Sequence, residues 1–139
     1  MKVFALVTAR SGSKGVPDKN IKHIGGHSLL DWSIKSSLKT QSISKVYLST
    51  DSEKYASIGK ECGALVPFLR PKELATDTAN DLDVIKHFLG SIDEKPDALV
   101  HIRPTTPFRN PKIVNDAIEI FFSKKSELTS LRSVHEMSE

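Results

Sequence analysis

An α/β fold built on a mostly parallel sheet is what this sequence predicts, and three features carry the prediction. Short apolar runs of strand length alternate with segments of helical period along the chain. A glycine-rich turn follows the first such run, and polar residues recur after the later ones. The third feature is composition: 139 residues that are 38% hydrophobic and 27% charged have the balance of one globular domain with a buried core. Residues 1–139 are therefore read as a single domain.

Val3 to Thr8 forms the first strand-like run, and a polar loop follows it to Asn20. Ser28 is placed to cap a helix in which Leu30, Ile34 and Leu38 recur every four residues. Val46 to Thr50 reads as a second strand, with Asp51 or Ser52 capping a helix through Tyr55, Ile58 and Cys62. Ala64 to Val66 reads as a short third strand. Thr78 to Leu89 offers Leu82, Ile85 and Leu89 along one side of a helix, and Ala98 to Ile102 reads as a fourth strand. Pro111 suits a first helical turn, ahead of a stripe of Ile113, Val114, Ala117, Ile118, Phe121 and Phe122 that is expected in the core. Leu128 to Val134 completes the set as a fifth strand. Such alternation implies right-handed crossovers and a ligand crevice at the carboxyl ends of the strands.

The polar residues gather at that predicted crevice. Ala9-Arg10-Ser11-Gly12-Ser13-Lys14-Gly15 closes the first strand, and Lys19 and Asn20 follow in the same loop. Small residues let the backbone approach an anion and aim N–H groups at it, while Arg10 and Lys14 supply the charge. The loop is read as a phosphate site, with a solvated basic loop as the plainer alternative. No Gly-Lys-Ser/Thr follows, and Gly12 and Gly15 give only G-x-x-G, so neither a Walker A loop nor a dinucleotide fingerprint is present.

Several other chemistries find little support. The formal net charge of +3 is mild, the lysines are scattered, and aromatics at 6% do not interleave with a basic stripe, so nucleic acid is not the expected partner. No apolar run approaches the roughly 18 to 20 residues of a membrane span, and no membrane partner is expected; a cytoplasmic location is. Cys62 is the single cysteine, which excludes an internal disulfide, and it is read as a buried structural thiol. His23, His27, His87, His101 and His135 lack metal-ligand spacing, although His101 directly precedes the crevice. Ser11 and Ser13 have no evident base, which leaves phosphate contact as their role.

Four ordered segments together resemble the acylneuraminate (nonulosonate) cytidylyltransferases. They are residues 9–20, Ser49-Thr50-Asp51, the stretch from Pro67 through Arg70-Pro71 to Thr78, and Arg103-Pro104-Thr105-Thr106-Pro107-Phe108-Arg109. The resemblance implies a Rossmann-like nucleotidyltransferase fold of three layers, truncated relative to the family. It also implies transfer of CMP from CTP to the anomeric hydroxyl of an acidic nine-carbon sugar, with pyrophosphate released and Mg²⁺ as cofactor. Arg10, Lys14 and Lys19 would then act on the phosphates, with Ser11, Gly12, Ser13 and Gly15 shaping their loop and Asn20 near the ribose. Arg70, Thr78 and Asp81 would lie toward the cytosine, although Arg70 also reads as a solvated residue in a Pro-flanked turn.

Arg103 departs from the sialic-acid pattern, in which a glutamine precedes the proline. It would either pair with the acceptor's carboxylate or brace the loop; with Thr105 it is assigned to the acceptor side. Sialic, legionaminic and similar nonulosonic acids all fit. The family's metal-binding aspartates lie in a later segment, so the metal ligands are unknown here; Asp81 is the nearest stand-in, while Asp51 and Asp83 read as helix-terminus residues. The family also carries an acceptor-closing, dimer-forming second half, which allows a homodimer. A shortened piece of a longer protein, or a naturally short relative with impaired chemistry, accounts for its lack. The alternatives are a CTP-binding fragment without catalysis and a different sugar nucleotidyltransferase, such as the octulosonate enzyme.

Overall fold

Alternation along the first strand decides the layers. In the computed structural model, which describes residues 1–12, 15–106 and 108–132, strand β1 (Val3–Thr8) is buried along almost its whole length. Successive side chains of a strand point to opposite faces. Ala5 and Val7 therefore enter one hydrophobic cluster, and Phe4 and Leu6 a second. A strand apolar on both faces must be covered on both.

Strand β1 is central. Strands β2 (His23–Ile24) and β3 (His27–Ser28) form a small antiparallel hairpin, while β4 (Lys45–Ser49) and β5 (Ala98–Ile102) pair with β1 in parallel, in the order β4-β1-β5. Leu6 is in register with Tyr47 on one side and His101 on the other, and Val7 with Leu48 and Ile102. The predicted strand Ala64–Val66 is reduced to a single parallel bridge between Tyr47 and Leu65. It lies between Gly63 at φ +106° and Pro67, and turn chemistry at both ends leaves room for little pairing. The predicted final strand is not formed over Leu128–Arg132; Ser133 and Val134 lie outside the described residues.

Helices α1 (Leu29–Leu38) and α2 (Glu53–Glu61) supply Leu30, Ile34 and Tyr55 to the cluster on one face, with Val46, Leu48 and Ile102. Helix α3 (Asp81–Ser91) covers the other face with Phe88, which meets Tyr47 edge-on at a ring separation of 5.0 Å. Full burial of such side chains is worth about 1.5–3 kcal/mol each. Ser28, Ser52 and Asn80 cap these three helices, each accepting a backbone N–H from the first turn. The cap of α2 is thus Ser52, which leaves Asp51 for another task. Helix α3 begins at Asp81 rather than near Thr78, and buries Val84 and Phe88 while Leu82 is 58% exposed.

Helix α4 (Pro111–Ser123) forms with Pro111 at its start and Asn110 as cap. Its apolar stripe is not the core element expected. Ile118 is its one buried residue, Ile113 and Ile120 are 65% and 48% exposed, and Asn115 ties the helix to the α1–β4 connection by accepting the Ser42 backbone N–H at 2.9 Å. Cys62, expected buried, is half-buried, and burial followed by a hydrogen bond to Asp31 pushes its thiol up to about 11. No helix among the described residues is long and apolar enough to cross a membrane.

Candidate active site

Parallel pairing brings the carboxyl ends of β1, β4 and β5 to one edge of the sheet, and a cleft of about 200 Å³ opens beside them. Thr8, the last residue of β1, forms part of its floor. Its hydroxyl lies 2.9 Å from Nε2 of His101 on the neighbouring strand. Burial first, then the charges of Arg70 and Arg109, depress the pKa of this imidazole. Protonation of His101 is thereby disfavoured next to Thr8.

The loop after β1 forms one wall. Arg10 Nη1 lies 2.6 Å from Oδ1 of Asp77 and donates to the Gly12 carbonyl, also at 2.6 Å. A turn of 3₁₀ helix at Lys19–Ile21 sets Lys19 into the cleft and buries Asn20, whose Nδ2 donates to the Arg10 carbonyl at 3.2 Å. Gly15 sits at φ +85°, a conformation that side-chain-bearing residues rarely adopt. Ser11 turns away from the cleft: its N–H donates to Asp51 Oδ1 at 2.9 Å and its hydroxyl to Oδ2 at 2.7 Å. Burial alone would raise the Asp51 carboxyl; the Ser11 hydrogen bonds and the charge of Arg70 outweigh it and hold the group below the usual carboxylate value.

Arg70 lines the cleft from beneath. It is only 6% exposed, so the solvated alternative does not hold. Its guanidinium donates to Ser49 Oγ at 3.1 Å, to the Ser49 carbonyl at 2.8 Å and to the Leu74 carbonyl at 3.2 Å. It therefore ties the end of β4 to the segment leading into α3. Burial, opposed by Asp51 and assisted by Arg10, lowers its pKa from the ordinary arginine value.

Arg103 and Thr105 form the wall after β5, and Arg103 is ion-paired with Asp81 at the start of α3. Arg109 braces this turn, donating to the Arg103 carbonyl at 2.6 Å and to the Thr106 hydroxyl. Arg10, Lys19, Arg70 and Arg103 face Asp77 and Asp81 across the cleft, so the described lining has four cations against two carboxylates. An anion is the ligand such a surface favours.

Of the predicted site residues, the structure brings Arg10, Lys19, Asn20, Arg70, Asp81, Arg103 and Thr105 together around the cleft. Ser11, Gly12, Gly15 and Thr78 stand outside its lining, Thr78 with its hydroxyl 3.3 Å from that of Thr76, which does line it. Ser13 and Lys14 lie outside the described residues. Thr8, the brace at Arg109 and the pairing of Arg10 with Asp77 were not foreseen; the signal for Thr8 was its place as the last residue of a central strand. Among the described residues no three His, Cys, Asp or Glu side chains cluster so as to hold a metal ion.

The family model for cytidylyltransferases matches residues 4–139. The chain belongs to the cytidylyltransferase family. This cytidylyltransferase chain is 33% identical over 123 residues to the CMP-N,N'-diacetyllegionaminic acid synthase of Legionella pneumophila, a match covering 86% of the chain and 53% of that protein. It is 38% identical over 120 residues to the N-acylneuraminate cytidylyltransferase of Escherichia coli O18:K1:H7, covering 86% of the chain and 28% of that protein. The chain thus spans about half, or less, of the length of these curated relatives.

Solved structures agree on the fold. The CMP:2-keto-3-deoxy-manno-octonic acid synthetase complexed with CTP superposes with a TM-score of 0.79 at 16% identity, over 91% of this chain and 49% of that one. A cytidylyltransferase from Leptospira borgpetersenii gives a TM-score of 0.65 at 25% identity, over 90% of this chain and 50% of that one. The α/β nucleotidyltransferase fold expected from the sequence is therefore the one observed.

Proposed function

We propose that this chain binds CTP in the cleft at the carboxyl ends of β1, β4 and β5, and contributes the nucleotide half of a transfer of CMP to an acidic nine-carbon sugar. The observation that carries the reading is the convergence of Arg10, Lys19, Arg70 and Arg103 on one cleft in a chain of the cytidylyltransferase family. Relatives named for legionaminic and N-acylneuraminic acids support a nonulosonic acceptor.

In the proposed reaction the anomeric hydroxyl attacks the α-phosphorus of CTP. A new oxygen–phosphorus bond forms, the bond from the α-phosphorus to the bridging oxygen breaks, pyrophosphate leaves with that electron pair, and the hydroxyl proton passes to solvent. Negative charge grows on the leaving group, so cations held in place around it stabilise the transition state more than the ground state. Arg10 and Lys19 occupy the phosphate side of the cleft, with Lys14 as a further cation on their loop. Asn20, Arg70 and Asp81 are assigned to the nucleoside side. Arg103 and Thr105 are assigned to the acceptor, where the Arg103 fork suits a sugar carboxylate.

Magnesium is expected of this chemistry, but the described residues do not by themselves form a site for it. Asp77 and Asp81 are each engaged by an arginine, and no third carboxylate or imidazole among the described residues joins them as a ligand set. That donor set favours a second reading, CTP binding without transfer by this stretch alone. A cytoplasmic location and a homodimer belong to the same proposal.

Pyrophosphate release from CTP with N-acetylneuraminic or legionaminic acid, against a control of CTP alone, separates the readings. Release that depends on the sugar supports transfer, and CTP binding without release supports the second reading. Absence of CTP binding overturns both.

A further inference from the structure

Asp51 and Tyr55 both reach back from the start of α2 to the loop that follows β1. Asp51 accepts two hydrogen bonds from Ser11, whose position is 40 residues earlier in the chain. Tyr55 is 1% exposed, and its hydroxyl donates to Asp18 Oδ1 at 3.0 Å. Asp18 has φ +51°, in the left-handed region that residues other than glycine rarely occupy. Burial followed by the bond to Asp18 pushes the Tyr55 phenol up to about 12, so it remains a donor throughout the ordinary pH range.

The two attachments bracket the loop. Ser11 directly follows Arg10 and Asp18 directly precedes Lys19, the two described cations of the loop that line the cleft. Neither Asp51 nor Tyr55 lines the cleft itself. We infer that Asp51 and Tyr55 are positioning residues, which hold the phosphate loop from behind through Ser11 and Asp18 and so fix where Arg10 and Lys19 meet the triphosphate. The inference rests on the CTP reading. A loop shaped in advance loses less conformational freedom when the ligand binds, and cations misplaced by an ångström lose much of their effect.

The role makes a particular demand on Asp51. Asparagine can reproduce both contacts, its Oδ1 accepting the Ser11 N–H and its Nδ2 donating to a Ser11 hydroxyl that has turned round. Alanine can reproduce neither. A residue acting through its charge, on a metal or on substrate, would fail equally as asparagine and as alanine.

Calorimetric titration with CTP, combined with amide hydrogen exchange over the loop, tests this on the full chain and its Asp51→Ala, Asp51→Asn and Tyr55→Phe variants. Asp51→Ala and Tyr55→Phe are expected to weaken CTP binding about 10-fold or more and to speed exchange at the loop amides. Asp51→Asn is expected near wild type in both. Tyr55→Phe removes one oxygen and no ring, so it decides the matter if Asp51→Ala does not fold. Wild-type affinity in Tyr55→Phe and in any folded Asp51→Ala protein overturns the inference, as does an Asp51→Asn protein with affinity lowered about 10-fold or more. A wild-type chain that does not bind CTP overturns the nucleotide reading itself.

Discussion

Arg10 and Asp77 form an ion pair across the cleft at 2.6 Å, with side chains 31% and 36% exposed. A pair so open to water is weakly held and exchangeable. A triphosphate at Arg10 must displace Asp77 or lie beside its negative charge. Asp77→Asn is therefore expected to tighten CTP binding, by about 2- to 10-fold at low salt, with the gain shrinking as salt is added. Calorimetric titration at two ionic strengths checks this, and weaker binding in the variant would contradict it.

Two arginines of the cleft should respond differently to truncation. Arg10 is partly exposed, and Arg10→Ala is expected to cut CTP-dependent turnover about 100-fold or more while leaving the unfolding midpoint almost unchanged. Arg70 is buried and serves the Ser49 hydroxyl and the Ser49 and Leu74 carbonyls, so Arg70→Ala takes one donor from each, although the Ser49 carbonyl keeps the Ala9 N–H. A loss of about 2–4 kcal/mol of stability is expected. Denaturant unfolding of both variants distinguishes the roles, and equal stability would remove the structural role of Arg70.

Acid should loosen the floor of the cleft. Burial, then Arg70 and Arg109, hold the His101 pKa below its ordinary value of 6.5. The unfolded chain accepts a proton that the folded chain resists, so this contribution to stability is complete above the ordinary value and is lost as pH falls toward the folded one. The unfolding midpoint should drop as pH falls below the ordinary histidine value, and His101→Gln should flatten that part of the profile. Identical profiles for the two proteins would contradict the assignment.

Phe88 anchors α3, whose first residue, Asp81, is the partner of Arg103. The ring is fully buried against Tyr47. Phe88→Ala is expected to cost about 3–5 kcal/mol. It should also weaken CTP binding in whatever fraction remains folded. Denaturant unfolding reads the first effect and titration the second.

Local pattern was enough to read β1, β4 and β5, because each is built around a short apolar run, residues 3–7, 46–48 and 98–100, and to place the caps at Ser28 and Ser52 among the candidates. It was not enough for α4. Periodicity reports that Ile113, Val114 and Ile118 share an apolar helical stripe, but not what covers it, and only Ile118 is buried here. The cleft was legible as a place, since parallel strands bring the residues after them to one edge. Its pairings were not: Arg10 with Asp77, Ser11 with Asp51 and Tyr55 with Asp18 join positions far apart in sequence, and no local spacing encodes them. Gly59 is similar, since a Cβ there would collide with the buried Leu48 side chain, a constraint visible only once α2 lies on β4.

A crystal structure of the full chain with CTP tests the central claim most directly. The account predicts the triphosphate against Arg10 and Lys19, with Asp77 drawn away from Arg10. CTP lodged elsewhere, for example in the second groove beside α2 near Lys60 and Phe68, with the Arg10–Asp77 pair intact, would contradict it.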